Sequence, residues 1–138
     1  MLFRSQDHEH IITLSVHGDK NFPFIKEKSH YDFPLADGVT DEEYLPLLAE
    51  ILLPIFETVK PDFVFYQAGV DVLETDKLGK LKLTQSGCRL RDEQVFTLCK
   101  NFGIPVQVSM GGGYSERIDH IVNAHINTFR TAIKIFDL

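Results

Sequence analysis

Two residues in this chain have the chemistry and the setting to act on a polarised carbonyl: Asp71, after Gln67-Ala68-Gly69-Val70, and Tyr114, after Gly111-Gly112-Gly113. Each follows an apolar run that reads as a β-strand. Where parallel strands lie side by side, groups just past their carboxyl ends open on one rim, the edge where open α/β sheets keep their chemistry. A carboxylate there is a candidate metal ligand, and a phenol beside it could donate a hydrogen bond to a metal-bound carbonyl. The glycines have no Cβ, so the backbone can turn sharply and a substrate or another chain can approach closely. Alone, either residue has a plainer reading: an Asp after a strand caps a helix or binds amides, and three glycines make a turn.

The elements that would carry these residues can be read in order. Phe63-Val64-Phe65-Tyr66 has no polar alternation, which predicts a central strand covered by helices on both faces. Ile11 to Val16 is a β-rich first strand ending at His17-Gly18. Asp19 to Val39 mixes Pro, Gly and Asp with Phe22, Phe24, Tyr31 and Phe33, the composition of a long ordered loop. Thr40-Asp41-Glu42-Glu43 is a capping-box signature for a helix to about Val59, with Pro46 and Pro54 expected to bend or break it.

Val72 to Leu83, with Asp76, Gly79 and several lysines, reads as a solvated loop, and Thr84 caps a helix to about Phe102, stopped by Gly103 and Pro105. Ile104 to Met110 is a third strand. Ser115 is expected to cap a last helix that turns Ile118, Ile121, Val122, Ile126, Phe129, Ile133 and Phe136 inward. The alternation predicts an α/β fold in one domain, a parallel sheet with helices in three layers.

Composition limits the function. A chain of 138 residues with 43% hydrophobic content can bury one core, and a net charge of −6 without clustered Lys and Arg argues against a nucleic-acid face. No apolar run has the length of a membrane span, and the start, Met-Leu-Phe-Arg-Ser-Gln-Asp-His-Glu-His, lacks the order of a secretory signal, so a cytoplasmic setting is expected. Cys88 and Cys99 fall on one helix, about 16 Å apart, too far for a disulfide, and are expected to fill core space.

Six stretches occur together in one order: Ser-Val-His-Gly at 15 to 18, Lys-Asn-Phe-Pro at 20 to 23, Asp-Gly-Val-Thr-Asp-Glu-Glu-Tyr at 37 to 44, Pro-Asp-Phe-Val-Phe-Tyr-Gln-Ala-Gly-Val-Asp at 61 to 71, Leu-Thr at 83 and 84, and Gly-Gly-Gly-Tyr at 111 to 114. In that order the chain resembles the carboxyl-terminal half of the zinc-dependent histone deacetylase family, in its bacterial and class IV branch, from about Ile11 to Phe136.

The resemblance implies a partial arginase/deacetylase fold and hydrolysis of acyl-lysine or a related acylated amine. It implies Asp71 as the last zinc ligand and Tyr114 as the catalytic tyrosine that hydrogen-bonds the tetrahedral oxyanion. Ser15 and Val16 fall where family members offer oxygens to a structural potassium ion. Phe22, then Phe24, are candidate walls of a tunnel for the lysine stem, and Gly112 and Gly113 candidate substrate-side backbone.

Family members also carry, before the matched region, an Asp-x-His pair with two further zinc ligands and a His-His pair for proton transfer. Neither pattern occurs in this chain. Asp7, His8, Glu9 and His10 do not match them and read as a polar lead-in. His17 is expected to bond a loop and His125 to be a satisfied core or edge group, with His30 and His120 on the surface. The expectation is therefore a truncated or split deacetylase-like chain, inactive alone, with zinc absent or weakly bound. Its partners would be a missing amino-terminal half or further copies in a homo-oligomer. The alternative is a non-catalytic binding or assembly module that has kept the fold.

Overall fold

The structure, a computed structural model, describes residues 8–138. Among the described residues four strands and three helices follow in order: β1 (Leu14–Gly18), β2 (Tyr31–Leu35), α1 (Asp41–Val59), β3 (Val64–Gly69), α2 (Gln85–Phe102), β4 (Val106–Gly111) and α3 (Ile118–Phe136). The strands pair in parallel as β1 with β2 and β3 with β4, two separate ladders rather than one continuous sheet. β2 is an element the sequence reading missed. Pro34 and the acidic neighbours suggested a loop, yet Tyr31, Phe33 and Leu35 alternate with polar or imino residues and sit opposite Leu14, Val16 and Gly18.

One core joins the two ladders. Tyr44, Leu48, Leu52 and Phe56 of α1 meet Val95 and Cys99 of α2, and Leu14, Val16, Leu35, Val64, Tyr66 and Val106 pack on them from the strands. The unbroken apolarity of the Phe63 to Tyr66 run predicts cover on both faces. Helices cover the Val64 and Tyr66 side, but Phe65 is 65% exposed on the other.

Helix boundaries follow local chemistry. Glu43 reaches back to accept the Thr40 N–H at 3.2 Å, completing the capping box. Of the bend or break expected at Pro46 and Pro54, the break does not occur: α1 runs continuously through both, its buried face offsetting the two missing backbone bonds. Thr84 accepts the Gly87 N–H at 2.9 Å to start α2, while Asp41 accepts both the Thr84 N–H at 2.9 Å and its hydroxyl at 2.6 Å, tying the two helix starts together. Gly103, at φ 67°, ends α2 in the left-handed region that glycine adopts most readily.

α3 departs from expectation twice. Its N-cap is Arg117, not Ser115, because the Ser115 hydroxyl is paired with that of Thr75 at 2.8 Å. Its buried residues are Ala124, Thr128 and Thr131, while Ile118, Val122, Ile126, Phe129 and Ile133 are exposed; of the stripe predicted to face inward, Ile121 and Phe136 pack on the core and the other five do not.

The small face is held on α2 by a polar network. Asp92, fully buried, accepts the Thr128 hydroxyl at 2.6 Å, the Tyr66 hydroxyl at 2.5 Å and two guanidinium N–H groups of Arg91. Arg91 also donates to the Gly69 carbonyl at 2.6 Å, at the end of β3. None of the described helices is long and apolar enough to cross a membrane.

Candidate functional site

β3 and β4 run in register from Val64 opposite Val106 to Gly69 opposite Gly111, and the Val70 N–H still donates to the Gly111 carbonyl at 2.9 Å. Asp71 and Tyr114 are the second and third residues beyond that last pair, so both leave the same edge. Asp71 lies against a glycine at the end of β3 and another just past β4: a Cβ at Gly69 would come within 2.8 Å of its Oδ1, and one at Gly112 within 2.7 Å. Gly112 has φ 66° and Gly113 φ 108°, and a Cβ at Gly113 would meet Ile121 at 2.7 Å and Val70 at 3.1 Å. The triple glycine is thus a close-packed turn that brings β4 against Asp71 and leaves Tyr114 beyond it, 58% exposed.

The end of β1 reaches the same edge. Asn21, just past Gly18, accepts the Lys80 N–H on its Oδ1 at 3.0 Å, which fastens the loop after β1 to the segment after β3. Lys26 braces that loop, donating to the carbonyls of Asp19 at 2.9 Å, Asn21 at 2.5 Å and Pro23 at 2.8 Å. Phe22 and Phe24 stand out from it, 83% and 80% exposed, with ring centroids 6.1 Å apart and planes at 87°. Ser15 and Val16 lie within β1 itself. Val16 packs on the core, and the Ser15 hydroxyl is 2.8 Å from Nδ1 of His17, so His17 bonds within its own strand rather than to a loop.

The remaining histidines divide. His30 is exposed but anchored, its Nδ1 3.2 Å from the Thr13 N–H and 3.0 Å from the Thr13 hydroxyl. His120 is half-buried rather than on the surface. His125 is not a satisfied group: its Nδ1 is buried and has no hydrogen-bond partner among the described residues. Desolvation lowers its pKa, and the Arg91 guanidinium lowers it further.

Segment 72–83 is the largest departure near the site. Read as a solvated loop, it instead buries Leu73, Leu81, Leu83 and the carboxylate of Asp76. Asp76 accepts the Leu78 and Gly79 N–H groups on Oδ1 and the Tyr114 N–H on Oδ2. The signal was present as Asp76-Lys77-Leu78-Gly79, an Asp whose carboxylate can close a turn on amides two and three residues ahead. The lysines around it hid the leucines.

A catalytic zinc takes about three protein ligands and keeps one open position. Among the described residues no three His, Cys, Asp or Glu side chains converge to hold a metal ion. His8, Glu9 and His10 are exposed and form no such cluster, and Asp7 lies outside the described residues. Asp71 offers one carboxylate, so these residues do not fit a complete zinc site by themselves.

Residues 3–129 match the family model described as the histone deacetylase domain. The chain belongs to the histone deacetylase family. It is 40% identical over 134 residues to an uncharacterized protein of Picosynechococcus, an alignment covering 97% of this chain and 45% of that protein. Histone deacetylase 2 of Arabidopsis thaliana is 29% identical over 84% of this chain and 31% of its own length.

Among solved structures, acetylpolyamine aminohydrolase from Burkholderia pseudomallei matches with a TM-score of 0.73 and 18% identity, over 90% of this chain and 38% of that one. A histone deacetylase homologue complexed with SAHA matches with a TM-score of 0.65 and 22% identity, over 96% and 41%. At such identities the likeness establishes the fold: parallel strands with flanking helices, as in deacetylases. This family member spans less than half the length of each of these relatives.

Proposed function

We propose that this chain contributes part of the site of a deacetylase-like hydrolase acting on acyl-lysine or a related acylated amine. The observation that carries the reading is the shared edge of β3 and β4, from which Asp71 and Tyr114 both emerge with Gly112 packed on the Asp71 carboxylate. In this reading Asp71 offers one oxygen ligand to the zinc of the family. Tyr114 directs its phenol O–H at the oxyanion that forms when the acyl carbonyl is attacked, a hydrogen bond stronger in the transition state than in the ground state. Gly112 and Gly113 leave room for backbone and substrate to meet, and Phe22 and Phe24 supply apolar rings to sheath a methylene stem. In the same reading, as the resemblance implies, Ser15 and Val16 would offer oxygens to a potassium ion. The other zinc ligands and the proton-transferring histidines come from outside the described residues, so the chain alone does not turn over.

Metal analysis and an acetyl-lysine hydrolysis assay test this on the chain alone and on a polypeptide joining it to the part of its Picosynechococcus relative that the alignment leaves uncovered. The expected result is neither stoichiometric zinc nor turnover from the chain alone. The joined protein is expected to turn over and to lose about a hundredfold or more in Tyr114→Phe, the scale of removing one oxyanion donor. Stoichiometric zinc with robust turnover from the chain alone, or a folded and inactive joined protein, overturns the proposal.

A second reading is favoured by one specific observation. Ile118, Val122, Ile126, Phe129 and Ile133 form an exposed apolar stripe on α3, and Phe65 is bare on the open side of β3. Such faces suit a non-catalytic module that assembles as a homo-oligomer. Sedimentation as a monomer at high concentration counts against it.

A further inference from the structure

We infer that Asp76 is a positioning residue whose single buried carboxylate sets Asp71 and Tyr114 relative to one another. The use of such a latch rests on the roles proposed above for those two residues; its existence does not. Asp76 is only 5% exposed, and it forms no ion pair among the described residues. Three backbone N–H groups compensate its burial. Oδ1 accepts from Leu78 at 2.9 Å and Gly79 at 2.7 Å, and Oδ2 accepts from Tyr114 at 2.6 Å. Bonds of this kind, from amides to an ionised carboxylate, are short and stronger than those between neutral groups.

Each oxygen leads to one of the two site residues. On the Oδ1 side, Gly79 lies so close to Asp71 that a Cβ there would overlap the Asp71 carbonyl oxygen, with the Asp76 Oδ1 itself at 3.3 Å. The turn held by Oδ1 therefore seats directly on the Asp71 backbone. On the Oδ2 side, the bond is to the amide of Tyr114 itself. The same junction is reinforced by an antiparallel bridge between Asp76 and Ser115, by the Lys77 N–H donating to the Tyr114 carbonyl at 3.4 Å, and by the Thr75 and Ser115 hydroxyls. An ionised carboxylate only accepts, which suits three converging donors. An asparagine of the same shape cannot serve them all, because its NH2 end would face an N–H on one side or the other.

Asp76→Asn is the test, read by amide exchange and 15N–1H spectra of the whole chain. Exchange at Tyr114, at Gly79, or at both is expected to quicken about tenfold or more, matching the loss of a charged hydrogen bond. Amides of the β3 and β4 ladder should keep their protection. Unchanged exchange and shifts at both Tyr114 and Gly79 overturn the inference.

If the variant does not fold, the wild-type chain decides by itself. A scalar coupling across the hydrogen bond between the Tyr114 15N and the Asp76 carboxyl 13C is expected, and its absence in a well-resolved spectrum overturns the latch. These readouts need neither zinc nor turnover. A latch present in spectra alongside an inactive joined protein would therefore retire the catalytic reading while leaving the latch intact.

Discussion

Asp71 and Gly112 occupy one small volume, such that a Cβ on Gly112 would stand 2.7 Å from Oδ1 and 2.8 Å from the Cβ and Cγ of Asp71. The two residues follow different strands, β3 and β4, and are 41 positions apart in the chain. Their contact exists because β3 and β4 end together and because position 112 carries no side chain. The carboxylate is thereby pressed from the side of Tyr114's own turn, so the position of one candidate group bears on the other.

Gly112→Ala is expected to disturb this contact twice over. Its φ of 66° is unfavourable for alanine by roughly 1 kcal/mol, and the added methyl must push Asp71 aside. Urea unfolding should show a loss of about 1–3 kcal/mol, with the largest chemical-shift changes at Asp71 and Gly69. A variant as stable as the parent, with Asp71 unshifted, would show the contact to be loose.

Asp92 should be among the most sensitive polar positions in the chain. Asp92→Ala leaves the Arg91 guanidinium, the Tyr66 hydroxyl and the Thr128 hydroxyl without their shared acceptor in the interior. Removing one member of a buried pair costs about 3–5 kcal/mol. Arg89→Ala, which breaks the partly exposed pair with Glu93, should cost under about 1 kcal/mol. Equal losses for the two variants would refute the ranking.

Cys88 and Cys99 should resist alkylation while the chain is folded. Both are buried, and burial pushes each thiol up to about 11. Iodoacetamide at pH 8 is expected to modify them only after urea is added. Rapid labelling of either thiol in the native state would contradict their placement in the core.

His125 should make the fold acid-sensitive. Its pKa is lowered in the folded chain, so the unfolded chain binds its proton first as the pH drops. The stability this group contributes is full above the unfolded value of about 6.5 and declines as the pH falls through the lowered folded value. His125→Leu also removes the unpartnered Nδ1. Thermal midpoints of that variant should drop less between pH 7 and pH 5 than those of the parent, and an identical drop would rule His125 out as the source.

Local signals in the chain were read well wherever the physics is local. Thr40 with Glu43, Thr84 with Gly87, and Gly103 after Phe102 each set a helix end through hydrogen bonds or a backbone conformation spanning a few residues. The runs read at 63–66 and 104–110 became the paired parallel strands β3 and β4, and the family was legible from six stretches in order. β2 was not, because Pro34 hides a strand whose pairing with β1 is set by contacts 17 residues away.

α3 shows where periodicity stops being informative. Its apolar stripe is plain in the sequence, yet the face chosen for burial is the one carrying Ala124, Thr128 and Thr131. Small side chains let α3 approach α2, and the Thr128 hydroxyl finds the buried Asp92 there. A stripe announces that an apolar face exists; it does not say what will cover it.

From the sequence alone came the residue types able to do chemistry, Asp71 and Tyr114, and the strand ends that carry them. Only the tertiary structure decided that Gly112 seats against Asp71, that Asp76 lies buried with one oxygen on the Tyr114 amide and the other on the Gly79 turn, and that no three metal-ligating side chains converge among the described residues. The physical reason is range. Caps and strand runs are governed by neighbours within a turn or two, whereas the partner of a buried carboxylate is chosen by which distant backbone amides the packed core brings within reach.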